Sequence, residues 1–307
     1  MKSWIALLLM PAAAMAAAAP HTADGHTATT VTVTRVADGL GSPEGPVWVP
    51  GVGLLLSDVS GKTIQRLKPE GGTETWLDAG IGTNGLILSN DGGKLLACCH
   101  STLNFVEIDL ATKAVSVRAK GWSDGRPFLN VNDVGVDAAG RVFFTDPTWK
   151  PIAGGRQGIV RLDPDGTTTL AAAMEKQPNG LAIDPARKRL IVARSGGPDL
   201  VWFAMEPDGS LKPGGTLHTF RKGDEPDGMT IDRQGNIYQA LAGTGEVAVI
   251  DPAGRETLRF RAFDRFATNV EFEDGPTGDN RTLYVTGGAT GGKKTGGVAK
   301  AVFSPAR

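Results

Sequence analysis

PDGMTIDRQGNIY, Pro226 to Tyr238, is the stretch whose reading decides the fold, because the rest of the chain repeats it. Asp227 stands before an alternating apolar run at Met229 and Ile231, the turn-forming residues Asp232 to Gly235 follow, and a second run begins at Ile237 and Tyr238. That order is strand, turn, strand, with an acidic residue at its head.

Working outward, SPEGPVWVPGVGLLLSD repeats the pattern with Glu44 at the head, TNGLILSNDGGKLLACC with Asn84, VNDVGVDAAGRVFFTD with Asn132 and PNGLAIDPARKRLIVA with Asn179. TNVEFEDGPTGDNRTLYVT is a looser copy led by Asn269. The steps between leading positions are 40, 48, 47, 48 and 42 residues. Between copies lie further strand pairs, at Ile64 to Trp76, Phe105 to Val117, Ile159 to Leu170, Val201 to Leu217 and Val247 to Phe260. Each unit therefore holds about four short strands, the content of a propeller blade at this period.

The expected fold is all-β, a six-bladed β-propeller of four-stranded blades over residues 30–307. No stretch after the first 19 residues carries a long 3.6-residue apolar period, so helix has little place. Thr30 to Val36 alternates like a strand but has no hairpin partner beside it. Joined to a final strand over Gly297 to Phe303, it would close the last blade and remove the open edge.

Composition agrees: 42 glycines and 19 prolines in 307 residues supply many turns, and 40% hydrophobic residues suffice for a large core. A formal net charge of −1 with no basic block argues against a nucleic-acid partner. Met1 to Ala19 has a lysine, the apolar run Trp4 to Met10 and a tail of small residues, so it reads as a secretory signal peptide too short for a membrane span. Residues 20–29 follow as a flexible polar segment, and periplasmic or secreted localisation is expected. No signature of a protein partner is legible. Cys98 and Cys99 are the only cysteines; adjacent cysteines pair with strain, and two buried strand residues on opposite faces are the expectation.

In a propeller the first strand of each blade lines the channel, so Glu44, Asn84, Asn132, Asn179, Asp227 and Asn269 form a ring at one mouth. Every member offers a carboxylate or amide oxygen, which suits one hard divalent cation. Such a cation with open positions would polarise a carbonyl and activate water. Asn-Gly and Asp-Gly are common turn pairs, and each pair taken singly reads as one; here, however, the hairpin turns come about six residues later. His100 reads as polar surface, and Trp48, Trp122, Phe128 and Trp149 as blade packing. Ser57 and Ser195 lack a matching histidine and acid for a triad.

SPEGPVW, LNVNDVGVDAAGRVFFTDP, PNGLAID and PDGMTID resemble, in this order, signature segments of the senescence marker protein, gluconolactonase and luciferin-regenerating enzyme family. TNGLIL and ATNVEFEDG…RTLYVTGG resemble its bacterial gluconolactonase branch, and the resemblance runs from Ser42 to Gly288. It implies a propeller enzyme that opens sugar-acid lactones with one divalent cation, calcium or zinc. By motif, the metal ligands would be Glu44, Asn179 and Asp227, with Asn132 a further ligand or substrate holder. Asp227 would double as general base, and Asn84, Asn130, Asp146 and Asn269 would contact substrate. Two departures stand out: Asn130 replaces an arginine of animal members, and Cys98-Cys99-His100 replaces a Cys-Glu-His common in bacterial ones. A same-fold hydrolase of aromatic lactones or phosphotriesters, and a non-catalytic ligand-binding propeller, are the rival readings.

Overall fold

A computed structural model describes residues 15–16, 29–149, 157–276, 278–288 and 295–305. The leader expected over residues 1–19 and the polar segment after it lie outside the described residues, apart from Thr29 and Met15–Ala16, a two-residue strand beside Thr32 and Val33.

Six antiparallel sheets follow one another along the chain, and every described element is a strand. The first five blades each take four consecutive strands, beginning with Pro43–Val49, Thr83–Leu88, Val134–Val136, Pro178–Asp184 and Pro226–Ile231. The sixth runs Ala267–Phe272, Thr282–Gly287 and Gly296–Pro305, and its outermost full strand is Thr29–Leu40. Thr29 faces Pro305 and Leu40 faces Gly296, so the two ends of the chain zip into one sheet as the sequence predicts.

Burial follows distance from the axis. The second strand Gly53–Asp58 is buried on both sides, with Leu54, Leu55 and Leu56 at or below 1% exposure, because each sheet face packs on a neighbouring blade. The outer strands Val115–Ala119 and Leu211–Thr219 are largely exposed. Cys98 and Cys99 are free and buried in the second blade, as expected. Trp122 and Phe128 pack edge-on in one core cluster, whereas Trp149 is 45% exposed.

Hydroxyl or thiol groups latch each blade to the start of the next at five of the six junctions. Ser57 Oγ donates to the Asn84 carbonyl (2.8 Å), Thr145 Oγ1 to that of Asn179 (2.8 Å), Ser195 Oγ to that of Pro226 (3.0 Å) and Thr268 Oγ1 to that of Pro43 (2.7 Å). Cys98 Sγ takes the same place, 3.7 Å from the Asp133 carbonyl. Ser57, Cys98 and Ser195 are thus ring fasteners.

Candidate active site

In every blade but the third, whose first strand starts only at Val134, the first strand bulges at or beside its leading residue. Pairing skips between Glu44 and Val47, Thr83 and Leu86, Pro178 and Leu181, Pro226 and Met229, and Ala267 and Asn269. Asn84-Gly85, Asn179-Gly180 and Asp227-Gly228 are therefore the skipped residues themselves, and a bulge re-aims a side chain while bending its strand. None of these pairs is a hairpin turn. Their glycines answer a different need: a Cβ on Gly180 would collide with the Asp227 carbonyl, and one on Gly228 with the Asn269 side chain. First strands of adjacent blades approach too closely for any side chain there.

The geometry brings the predicted ring together. Asn84, Asn132, Asn179 and Asn269 are 5–7% exposed, while Glu44 and Asp227 are half-buried beside the open channel. Asn179 Nδ2 donates to Ser195 Oγ (2.8 Å), and the same side chain hydrogen-bonds the Asp227 carboxylate. With its donors engaged, the Asn179 carbonyl oxygen is the atom left to act as a ligand. Asn269 hydrogen-bonds Glu44 and accepts the Val270 N–H at 2.8 Å, so it is held as a support for the glutamate.

Two further carboxylates face the same channel, and reading the sequence missed both. Asp133 accepts the Val134 N–H (3.0 Å) and the Leu181 N–H (3.1 Å), tying the third blade to the bulge that presents Asn179. Glu271 lies two residues along the strand from Asn269, hence on the same face, and hydrogen-bonds Thr230. The period-two rule could have found Glu271.

Burial, then the Asp227 and Asp133 charges, raise the Glu44 carboxyl well above its ordinary range. Burial and Asp133 raise Asp227 likewise. Burial alone pushes Asp133 up to about 7, and burial with the Asp133 charge pushes Glu271 up to about 8. No ion pair among the described residues reaches any of the four. Unpaired anions gathered at one mouth, with amide oxygens between them, are a donor set that fits a hard cation. Among the described residues no three His, Cys, Asp or Glu side chains stand close enough together to hold a metal ion by themselves, so amide oxygens would have to complete any such donor set.

Since these groups hold protons more tightly folded than unfolded, they stabilise the fold below their ordinary range and lose that contribution as pH rises through the folded values. Chelator-treated protein is therefore expected to melt lower at pH 9, where Glu271 and its neighbours are ionised, than at pH 7. Calcium should flatten the difference, and a chelated protein whose melting temperature does not fall would contradict the account.

Two sequence assignments need correction. Asp146 is fully buried, and its carboxylate accepts the N–H groups of Leu129 (2.9 Å) and Asn130 (2.7 Å). It clamps the segment leading to Asn132 and stands behind the site instead of facing substrate; Asp58 clamps Gly41 and Ser42 before Glu44 in the same way. His100 is half-buried at the mouth and hydrogen-bonds the Asn130 side chain, where open surface was expected. Burial lowers its pKa, and that hydrogen bond opposes the shift.

The fold is a six-bladed β-propeller with a ring of carboxylates and amides at the start of its inner strands. Residues 42–289 match the family described as SMP-30/gluconolactonase/LRE-like region, and the chain belongs to that family. It is 32% identical to the pentonolactonase XacC of Haloferax volcanii over 89% of this chain and 94% of that protein. It is 30% identical to a gluconolactonase of Zymomonas mobilis over 65% of this chain, a match spanning 64% of that protein's length. In structure it resembles XC5397 of Xanthomonas campestris, described as a gluconolactonase, with a TM-score of 0.79 and 24% identity over 96% of this chain and 99% of that one.

Proposed function

We propose that the chain opens the ring of a sugar-acid lactone by adding water across its ester bond. The observation that supports this reading is the mutual repulsion of the Glu44 and Asp227 carboxylates at close quarters, with the Asn179 side chain hydrogen-bonded to Asp227 and that of Asn269 to Glu44. Similarity to a pentonolactonase over nearly its whole length supports the substrate class.

A divalent cation held by Glu44, Asn179 and Asp227, with Asn132 as a further ligand, would polarise the ester carbonyl and compensate the carboxylates. Oxygen donors throughout favour calcium over zinc. Asp227 takes the proton of a water as the water oxygen bonds to the carbonyl carbon. The ring C–O bond then breaks, and the ring oxygen receives that proton and leaves as a hydroxyl. Asn179, hydrogen-bonded to Asp227, fixes the angle of the base. Asn84 and Asn130 extend the polar rim along which the substrate's hydroxyl groups would lie, and His100 sets the orientation of Asn130.

Chelation followed by acid-release assays on gluconolactone and xylonolactone tests the reading. Activity should vanish with the cation and return with calcium. Turnover unaffected by chelator would remove the cation from the reaction, and no turnover on any lactone or ester with either metal would leave a ligand-binding propeller. Export, read from the leader at 1–19, belongs to the same proposal and is checked by the N-terminal sequence of protein recovered outside the cytoplasm.

A further inference from the structure

In the first and third blades a carboxylate at the end of the second strand clamps the segment that enters the first strand. Asp58, opposite Pro43 in register, holds Gly41 and Ser42 ahead of Glu44, and Asp146 holds Leu129 and Asn130 ahead of Asn132. The fifth blade, which presents Asp227, has Leu241 opposite Pro226 in that place. A leucine side chain accepts no N–H, so the segment Arg221 to Pro226 is held by other means.

The hold comes from the blade's outermost strand, Glu256–Arg261. Arg259 donates from Nη1 to Asp224 Oδ1 (3.1 Å) and from Nη2 to Asp224 Oδ2 (2.9 Å), a two-pronged pair whose side chains are only 10% and 3% exposed. Its Nε and Nη2 also donate to Glu256 (2.8 Å each), and Nη1 donates to Glu246 (3.2 Å). All five guanidinium N–H groups are thereby used, along two edges of the plane. Asp224 in turn accepts the Arg221 N–H on its carboxylate and the Gly243 N–H on its carbonyl, both at 3.0 Å.

The residue after Asp224 is strained. Glu225 has a φ of +52°, in the left-handed region that side-chain-bearing residues avoid, and it precedes a proline, which favours extended backbone. Its carbonyl accepts the Ala242 N–H (2.9 Å), and the Pro226 carbonyl accepts the Ser195 hydroxyl (3.0 Å). Such a conformation persists only where its surroundings impose it, and it is found beside functional residues. Asp227 lies two residues further on.

We propose that Arg259 is a positioning residue for Asp227. Gripped by Glu246 and Glu256, it fixes Asp224, Asp224 fixes the left-handed Glu225, and the direction in which the chain leaves that residue sets the aim of the Asp227 carboxylate. The role given to Asp227 rests on the lactone reading, whereas the clamp itself does not.

Arg259→Met, Arg259→Lys and Asp224→Asn test this in the full chain, at saturating calcium and well below the melting temperature. In Arg259→Met, kcat on gluconolactone should fall about tenfold or more while KM stays within about twofold, because the arginine stands behind the base and not beside the substrate. Lysine keeps the charge but not the planar fork, so Arg259→Lys should recover little of the loss. Adding Asp224→Asn to Arg259→Met should cost no more than the larger single change, since both act along one path. Hydrogen exchange in chelated protein needs no turnover: the peptide over 221–231 should exchange about tenfold faster or more in Arg259→Met, with that over 129–136, clamped by Asp146, unchanged. Parental kcat in a folded Arg259→Met, full rescue by lysine, or unchanged exchange over 221–231 would each overturn the proposal. Faster exchange there in a protein whose parent opens no lactone would instead support the clamp and reject the lactone reading. Should Arg259→Met fail to fold, Asp224→Asn, which keeps the shape of its side chain, is read by the same kcat and exchange criteria.

Discussion

Replacing Asp227 by asparagine is expected to lower kcat for lactone opening by about a thousandfold at saturating calcium, roughly 4 kcal/mol of activation free energy. Asparagine keeps the size of the side chain but cannot take a proton from water. It also removes the repulsion that burial sharpens between this position and Glu44, so the cation-free variant should melt no lower than the parent. Glu44→Gln, which alters a ligand and not the base, should instead raise the calcium concentration needed for half-maximal rate. Initial rates across a calcium titration separate the two. A residual Asp227→Asn rate within about tenfold of the parent at saturation would assign the base elsewhere.

Gly180→Ala should damage both stability and activity. Its added methyl would lie 2.7 Å from the Gly228 Cα and overlap the Asp227 carbonyl, and both obstacles are backbone of the next blade. Neither can rotate away, so the inner strands must part. We expect a stability loss of about 3 kcal/mol, read as a melting temperature lower by roughly 6–10 °C. A displacement near 1 Å between Asn179 and Asp227 should also cost about a hundredfold in kcat/KM. Gly51→Ala is the control: its φ is +78° and an added methyl would meet nothing within 4 Å, so it pays only for backbone conformation, about 1–2 kcal/mol, and leaves activity alone. Equal behaviour of the two variants would show that the inner strands have room to spare.

These contrasts explain what could be read in advance. The propeller was legible because a strand's side chains alternate locally, so six heads at steps of 40–48 residues carry the architecture without any long-range information. The ring residues followed from equivalence between copies. Asp133 did not, since its role depends on which amide of the fourth blade it faces, and beside Asn132 it looks like half of a turn pair. Asp146 was misplaced for a related reason: a carboxylate aimed at backbone N–H groups and one aimed at a ligand have the same letter. The glycines after the ring residues carry no strand signal of their own, and only the closeness of neighbouring blades explains them. His100 changed from surface to mouth because the turn after the second strand folds back towards Asn130.

The zipped sheet of the sixth blade bears on the order in which the molecule is made. Thr29–Leu40 is among the earliest described segments to leave the ribosome and Gly296–Pro305 is the last, yet each is the other's neighbour. Five blades can assemble from contiguous chain while translation proceeds, but the sixth cannot. The early strand must wait, unpaired, for the whole of synthesis, and the circle closes in a single late step spanning nearly the entire polypeptide. A chain truncated before Gly296 would leave Thr29–Leu40 without its partner and the sixth and first blades unjoined, so quality control of nascent chains could distinguish finished molecules from fragments by that one edge.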